Sequence, residues 1–366
     1  MSMRLVSKTL MVVFAVAATG CGDDDVVPGG TDAGRDAGAA PTDSGPMACD
    51  ACGVDAGPSD AGSTSDAGSG ATITTVHPFD PSMFELPEGI VLTGGHALVG
   101  IAPTGNVVQV DADGTTTMFG NVPFVPMSSY ALGLALDSMG RVYVGIGAVG
   151  AGAIPGIYRI PATGGTGVLF ASDPMMQFPN GLDFDSTGNL YVADSNGHVF
   201  KISALGVVTN WSSDTALAAA ATSPCGPRVT PFPIGANGIV VEATQVIVAH
   251  TDSAALLRIA INGDGTAGAV TPVVADCTNL LGIDGIGQEA PGSWLATMQG
   301  TNGIARVTMD GTVTVLHTGA PLDGPASVDI GMFGTSRQAV ITNSAFVSVE
   351  MMMTAAPSLA TLSPVM

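Results

Sequence analysis

Six short segments of this 366-residue chain share one pattern, in which a variable residue precedes a near-constant glycine and an aliphatic residue. The six variable positions are Glu88, Leu132, Asn180, Asn237, Asp284 and Ala326, of which two are carboxylates and two are amides. Carboxylate and amide oxygens suit a hard cation such as Ca²⁺, and the absence of His and Cys from this set disfavours zinc and copper. If the six positions meet in space, the sequence predicts a site for one divalent cation, with Ca²⁺ as the favoured ion.

A second interpretation of the same residues is structural. Asn-Gly and Asp-Gly are ordinary turn dipeptides, so Asn180, Asn237 and Asp284 could each mark a turn. The polar residues, however, occupy equivalent positions of a repeat and are followed by apolar, strand-forming residues. We therefore favour a binding site over turns.

The repeat itself indicates what brings these positions together. Its clearest copy starts at Asn180 and contains four short strands, with turns at Gly188-Asn189 and Asn196-Gly197. The first residues of successive copies lie 44, 48, 57, 47 and 42 residues apart, and a four-stranded propeller blade takes roughly 40–50 residues. The sequence therefore predicts an all-β protein, a six-bladed β-propeller with four antiparallel strands per blade, over residues 72–353.

The sixth copy is the least regular one. Its third strand is predicted in A-F-V-S-V, from Ala345 to Val349, and no fourth strand follows clearly. The unassigned segment from Ile73 to Val76 is predicted to complete this blade as its outermost strand and to close the ring. Residues 354–366 are assigned to a C-terminal tail.

The longest gap between copies holds an insertion from Ala216 to Pro233, which carries Cys225. Cys277 lies one blade later. A disulfide between Cys225 and Cys277 is plausible in a protein outside the cytoplasm.

The first 20 residues have the features of an export signal. Arg4 and Lys8 precede an apolar run, Leu10 to Ala18, which is too short to span a bilayer. The sequence A-A-T-G-C that follows resembles the bacterial lipobox, in which the signal is cleaved before a cysteine that then receives lipid. Residues 1–20 are therefore predicted to be a lipoprotein signal peptide and Cys21 the lipidated residue; an ordinary signal peptide with a chance cysteine is the alternative.

Residues 21–71 are of low complexity, with a recurring Asp-Ala-Gly motif. Such a segment cannot bury a core, so we expect a disordered tether. Cys49 and Cys52 form a lone C-x-x-C within it, for which a small disulfide loop is favoured over a metal or redox site.

Four tetrapeptides at the starts of the copies resemble the regucalcin/gluconolactonase family. They are P-E-G-I at 87–90, N-G-L-D at 180–183, A-N-G-I at 236–239 and I-D-G-I at 283–286. The resemblance covers most of residues 72–345. It implies a six-bladed propeller that holds one divalent metal, usually calcium, at the channel mouth and hydrolyses sugar lactones or related esters.

By position, the resemblance implies that Glu88, Asn237 and Asp284 ligate the metal and that Asp284 is also the general base. Asn180 would stand beside the metal, as a further ligand or as a contact for substrate. Members that act on sugar lactones often carry an arginine two residues before the third-blade asparagine. Phe178 occupies that position here, so we expect a more apolar lip with Phe178 among the substrate-binding residues.

The formal net charge of −21 disfavours nucleic acid and anionic lipid headgroups as partners. We expect an exported monomer, anchored to the bacterial cell envelope only through lipid on Cys21, that hydrolyses a small lactone or ester. The alternative is a binding or scaffold propeller without catalysis, because propellers also serve as recognition platforms.

Overall fold

The computed structural model describes residues 71–366. The predicted signal peptide, Cys21, and the tether with Cys49 and Cys52 lie outside the described residues. Strands of the described part form six sheets. The six-bladed β-propeller predicted from the repeats is confirmed.

The chain enters with strand β1 (Thr72–Pro78) and then builds blades one to three, each from its inner strand outward. Blade one contains β2 (Pro87–Thr93), β3 (His96–Ile101), β4 (Asn106–Val110) and β5 (Thr116–Asn121). Blade two contains β6 (Ser129–Leu136), β7 (Val142–Ala148), β8 (Gly156–Ile160) and β10 (Val168–Ala171), and the short β9 (Gly165–Thr166) pairs in parallel with β5 of blade one. Blade three contains β11 (Pro179–Phe184), β12 (Leu190–Asp194), β13 (His198–Ile202) and β14 (Val208–Ser212).

Blades four and five repeat this order. Blade four contains β15 (Ala236–Val241), β16 (Gln245–His250), β17 (Ala255–Ile261) and β18 (Ala267–Ala275). Blade five contains β19 (Ile283–Ala290), β20 (Ser293–Met298), β21 (Gly303–Thr308) and β22 (Val313–Thr318). Short 3₁₀ helices span Pro81–Met83, Thr215–Leu217 and Gln299–Thr301.

Blade six joins both ends of the described chain. From the inside outward it contains β23 (Pro325–Phe333), β24 (Ser336–Asn343), β25 (Ser358–Ser363) and finally β1. β1 pairs with β25 in antiparallel fashion, from Thr72 opposite Ser363 to Pro78 opposite Ser358. The prediction that Ile73 to Val76 forms the outermost strand of this blade is confirmed.

The third strand predicted for blade six is wrong. Phe346–Glu350 is a short helix, α1, rather than a strand. Ala345 precedes it with a left-handed φ of 54°, which ends the extended conformation, and the N–H of Val349 then donates to the carbonyl oxygen of Ala345 at 2.9 Å. The third strand is β25 instead, so the propeller continues into the residues predicted to be a tail.

Turns and packing follow from residue types. Gly188 and Gly197 have φ values of 86° and 103°, which the predicted hairpin turns require and which glycine adopts without a steric penalty. Apolar side chains pack between neighbouring blades, and all six interfaces contain a buried cluster. At the interface of blades four and five, for example, Leu256 and the fully buried Trp294 share one cluster.

Because these clusters fill the space between the blades, the inner strands line the axis of the ring. Their first residues line one cavity and their later residues line another. None of the helices within residues 71–366 is both long enough and apolar enough to cross a membrane.

Candidate metal centre

The variable residue of every copy lies at an irregularity of its inner strand. Pairing between the first and second strands shifts register at the same place in all six blades. The shifts lie at Pro87/Ile90, Ala131/Leu134, Pro179/Leu182, Ala236/Ile239, Ile283/Ile286 and Pro325/Ser327. Such irregularities redirect a side chain out of the regular pleat. They therefore explain how residues inside strands turn toward the channel.

Glycine follows five of the six variable residues and is required there by close approach of the next blade. A methyl group on Gly238 would lie 2.5 Å from the carbonyl oxygen of Asp284, and one on Gly285 would lie 2.5 Å from that of Ala326. Gly89, Gly133 and Gly181 stand in the same relation to the variable residue of the following blade. These glycines are thus packing residues of the inner ring rather than turn residues.

Hydroxyl groups join the last blades of this ring. Thr251 Oγ1 donates to the carbonyl oxygen of Ile283 at 2.8 Å, and Thr297 Oγ1 donates to that of Ala326 at 2.8 Å. Thr342 Oγ1 donates to the carbonyl oxygen of Glu88 at 2.5 Å, and this bond crosses the closure between blades six and one. Each bond holds the neighbouring inner strand at or beside its variable residue.

The structure brings the predicted polar residues together. The side chains of Glu88, Asn180, Asn237 and Asp284 are 4 %, 7 %, 3 % and 3 % exposed and line a single cavity with an empty volume of about 740 Å³, part of it open to solvent. Leu132 and Phe178 line the same cavity, whereas Ala326 does not.

The two carboxylates lie in an environment that penalises their charge. Burial and the nearby charge of Asp284 raise the pKa of Glu88 well above its usual range. Burial raises the pKa of Asp284 to about 7, although hydrogen bonds from Gln299 and Asn237 partly oppose the rise. No Lys, Arg or His is among the described residues that line the cavity, and Glu88 Oε2 is buried without a hydrogen-bond partner.

Three of the four polar side chains are supported from within their own blade. Asn180 Nδ2 donates to Ser195 Oγ at 3.4 Å, and Asn237 Nδ2 donates to Thr251 Oγ1 at 3.0 Å. Gln299 Nε2 donates to Asp284 Oδ2. Since the Nδ2 groups of both asparagines are engaged, their Oδ1 atoms are the ones available to a cation.

This donor set fits a divalent cation. It offers two buried carboxylates, of which Glu88 has an oxygen without a hydrogen-bond partner, and two amide oxygens. Within residues 71–366 there is no group of three His, Cys, Asp or Glu side chains that could hold a metal, so the amides must supply part of any coordination. Oxygen-only coordination of this kind is suited to Ca²⁺.

The sequence pattern used above does not identify the residues that support the polar side chains, although the repeat contains a signal for them. Ser195, Thr251 and Gln299 each follow the residue that pairs opposite the start of the inner strand. Comparing the ends of the second strands, as well as the starts of the first, would have found them. Phe232 on the insertion and Phe346 on α1 also line the cavity, and no repeat signal predicts them.

Cys225 and Cys277 are joined by a disulfide. The bond ties the insertion to the segment between blades four and five. Residues Val229 to Phe232 of the insertion reach the cavity.

No family model matches the sequence, and no curated protein matches it. Solved structures do match the fold. A structural-genomics target assigned as a gluconolactonase aligns with a TM-score of 0.58 and 15 % identity over 80 % of this chain and 92 % of its own. Regucalcin from Agrobacterium tumefaciens, a calcium-binding protein, aligns with a TM-score of 0.54 and 14 % identity over 77 % and 90 %. The PQQ-bound aldose sugar dehydrogenase of Streptomyces coelicolor aligns with a TM-score of 0.56 and 16 % identity over 80 % and 98 %.

At these identities the likeness shows the fold alone. The resemblance to regucalcin and gluconolactonase structures that the tetrapeptides predicted is confirmed at that level. Because a sugar dehydrogenase shares the same propeller, the chemistry of this chain has to be argued from its own cavity.

Proposed function

We propose that this propeller is a divalent-cation-dependent hydrolase of lactones or related esters, with Ca²⁺ as the cation. The observation that carries the proposal is the pair Glu88 and Asp284, two buried carboxylates in one cavity whose described lining offers no positive side chain. Leaving such charges uncompensated is costly, so they stay ionised only with a counter-charge between them.

Glu88, Asn237 and Asp284 would hold the cation, and Asn180 would bind beside it. When bound, the cation would polarise the substrate carbonyl and lower the pKa of a nearby water. Likenesses to a calcium-binding regucalcin and to a gluconolactonase target support this choice.

Asp284 acts as general base. Its carboxylate takes a proton from water as the water oxygen bonds to the carbonyl carbon. The ring C–O bond then breaks, and the proton passes from Asp284 to the leaving alkoxide, so that the product is a hydroxy acid. Gln299 holds Asp284 in place through the bond to Oδ2.

Calorimetric titration of the full-length protein with Ca²⁺ tests the metal site. We expect binding in the parent protein, loss of binding in Asp284→Ala, and retention in Asp329→Asn, a half-buried aspartate of an inner strand that lines the other cavity. No binding by the parent protein would refute the site.

Assay of the Ca²⁺-loaded protein with lactones and aryl esters tests the reaction. Hydrolysis of at least one substrate, lost in Asp284→Ala, is expected. Binding of Ca²⁺ without any turnover would instead identify the chain as a binding propeller.

We also propose that the chain is exported and anchored to the cell envelope as a monomer, through lipid on Cys21. The disulfide between Cys225 and Cys277 supports an oxidising compartment, because structural disulfides are rare in the cytosol. Incorporation of labelled fatty acid by the parent chain, but not by Cys21→Ser, is the expected result. Equal labelling of both would contradict the anchor.

A further inference from the structure

We propose that the cavity selects an uncharged lactone or ester with an apolar alkyl or aryl substituent, and that Phe178 and Phe232 bind this substituent. The inference rests on the proposed function for its reaction, and on the walls of the cavity for its specificity. It assigns a specificity role to the insertion.

The cavity combines buried polar side chains with partly exposed apolar ones. Glu88, Asn180, Asn237 and Asp284 are nearly fully buried, whereas five apolar lining residues are partly exposed. The latter are Phe178, Val229, Phe232, Phe346 and Val347. Partly exposed apolar walls combined with a few buried polar groups are typical of sites that bind an apolar ligand and orient one polar group.

Phe178 and Phe232 belong to different elements, and their rings pack edge to face. Phe178 precedes blade three and Phe232 belongs to the insertion, and their ring centroids lie 5.7 Å apart at an interplanar angle of 74°. The backbone N–H of Phe178 donates to Asp194 Oδ2 at 2.7 Å. Its ring lies so close to Gly147 that a methyl group there would approach it to 2.8 Å.

The insertion is held firmly enough to act as a fixed wall. The disulfide of Cys225 anchors it to Cys277, and Arg228 Nε pairs with Asp252 Oδ2 at 3.1 Å. His250 Nε2 lies 2.9 Å from the carbonyl oxygen of Ala218. A wall that is ordered before the ligand arrives lowers the entropic cost of binding.

The charge of the cavity opposes an anionic substrate. Glu350 joins Glu88 and Asp284 among its lining residues, and the described lining contains no basic side chain. Thr230 Oγ1, on the insertion, donates to the carbonyl oxygen of Phe232 at 2.9 Å, so its proton is not free for ligand. A polyhydroxylated sugar lactone would give up hydrogen bonds to water that these walls do not replace.

The test is a series of γ-lactones with lengthening alkyl chains, compared with gluconolactone. We expect kcat/KM to rise about fourfold for each methylene that the cavity buries, and gluconolactone to be the poorest substrate. Phe178→Ala and Phe232→Ala should flatten the series, while Phe232→Leu should retain most of it. Leu205→Ala, which removes an apolar side chain that is 90 % exposed outside the cavity, should leave the series unchanged.

A binding experiment separates this inference from the proposed reaction. Asp284→Asn is titrated calorimetrically with γ-decanolactone and with gluconolactone, alone and combined with Phe232→Ala. Tighter binding of γ-decanolactone that depends on Phe232 supports the inference even if no lactone is hydrolysed. Hydrolysis that is indifferent to chain length, or a preference for gluconolactone, would overturn the inference and leave the proposed reaction standing.

Discussion

Burial, together with the charge of Asp284 on blade five, raises the pKa of Glu88 on blade one. Blade six stands between these blades in the ring and contributes only Ala326 at the equivalent position. The two carboxylates therefore share one poorly solvated space in which their repulsion is weakly screened. Such a pair destabilises the fold when no cation is bound and strengthens the binding of one.

Glu88→Gln should separate these two effects. Removing one charge should weaken Ca²⁺ binding by at least tenfold, because a carboxylate ligand is lost. In the absence of Ca²⁺ the same variant should be more stable than the parent, because the buried repulsion is gone. Calorimetry with Ca²⁺ measures the affinity, and thermal denaturation in chelator at pH 8 measures the stability. If Glu88→Gln is less stable than the parent in chelator, the two carboxylates do not destabilise the fold.

Gln299→Ala should weaken the site without removing a ligand. Gln299 donates to Asp284 Oδ2, and loss of a partner that orients a metal ligand typically costs 10–100-fold in affinity. Gln288→Ala is the matched control, since Gln288 donates to Glu242 Oε1 at 2.8 Å away from this cavity. Calorimetric Kd values for Ca²⁺ give the comparison. Equal affinities of the two variants would show that Gln299 does not position Asp284.

Gly238→Ala should damage the inner ring. The added methyl group would meet the carbonyl oxygen of Asp284 at 2.5 Å, and overpacking of this kind costs about 1–3 kcal/mol. Gly263→Ala is the control because a methyl group there would have no neighbour within 4 Å. Chemical denaturation should show a lower free energy of unfolding for Gly238→Ala but not for Gly263→Ala. Gly238→Ala should also bind Ca²⁺ more weakly than the parent protein.

Asp183, which lines the second cavity, should make the folded protein more stable as pH falls. Burial, together with the charges of Asp329 and Asp185, raises the pKa of Asp183 to about 7. The folded protein thus binds a proton that the unfolded chain has released above about pH 4, so this contribution to stability falls as pH rises from about 4 to 7. One proton gives a slope of at most about 1.4 kcal/mol per pH unit.

Asp183→Asn should therefore make the decline in stability between pH 5 and pH 7 shallower. Chemical denaturation across that range measures the slope. Asp113→Asn is the control, because hydrogen bonds from Thr115 lower the pKa of this exposed carboxyl and it titrates below the tested range. A slope unaltered by Asp183→Asn would show that Asp183 is ionised throughout.

The repeat made most of the architecture predictable. Blades one to five share one order of strands, so internal comparison located Glu88, Asn180, Asn237 and Asp284 at equivalent positions. It also found β1 as the closing strand. The role of the glycines could not be predicted in this way. Gly238 and Gly285 are required by close contacts with the next blade and not by local turns.

Elements that interrupt the repeat could not be predicted in the same way. Phe346 and Val347 belong to a short apolar run, and such runs fit a strand or a helix equally well. The left-handed φ of Ala345 ends the extended conformation before this run, and Phe346 and Val347 line the cavity. Phe232 lies in an insertion without an internal counterpart, so its place beside Phe178 depends on the folded ring.

The pairing of β1 with β25 has a consequence for how the protein is made. Thr72 lies opposite Ser363, so β1, the first of the described strands to leave the ribosome, waits for β25, the last of them. Until then the edges of β1 and β24 are open to pairing with other chains. The ring thus matures only after synthesis has delivered β25, and a chain that stops before Ser358 leaves blade six unable to close.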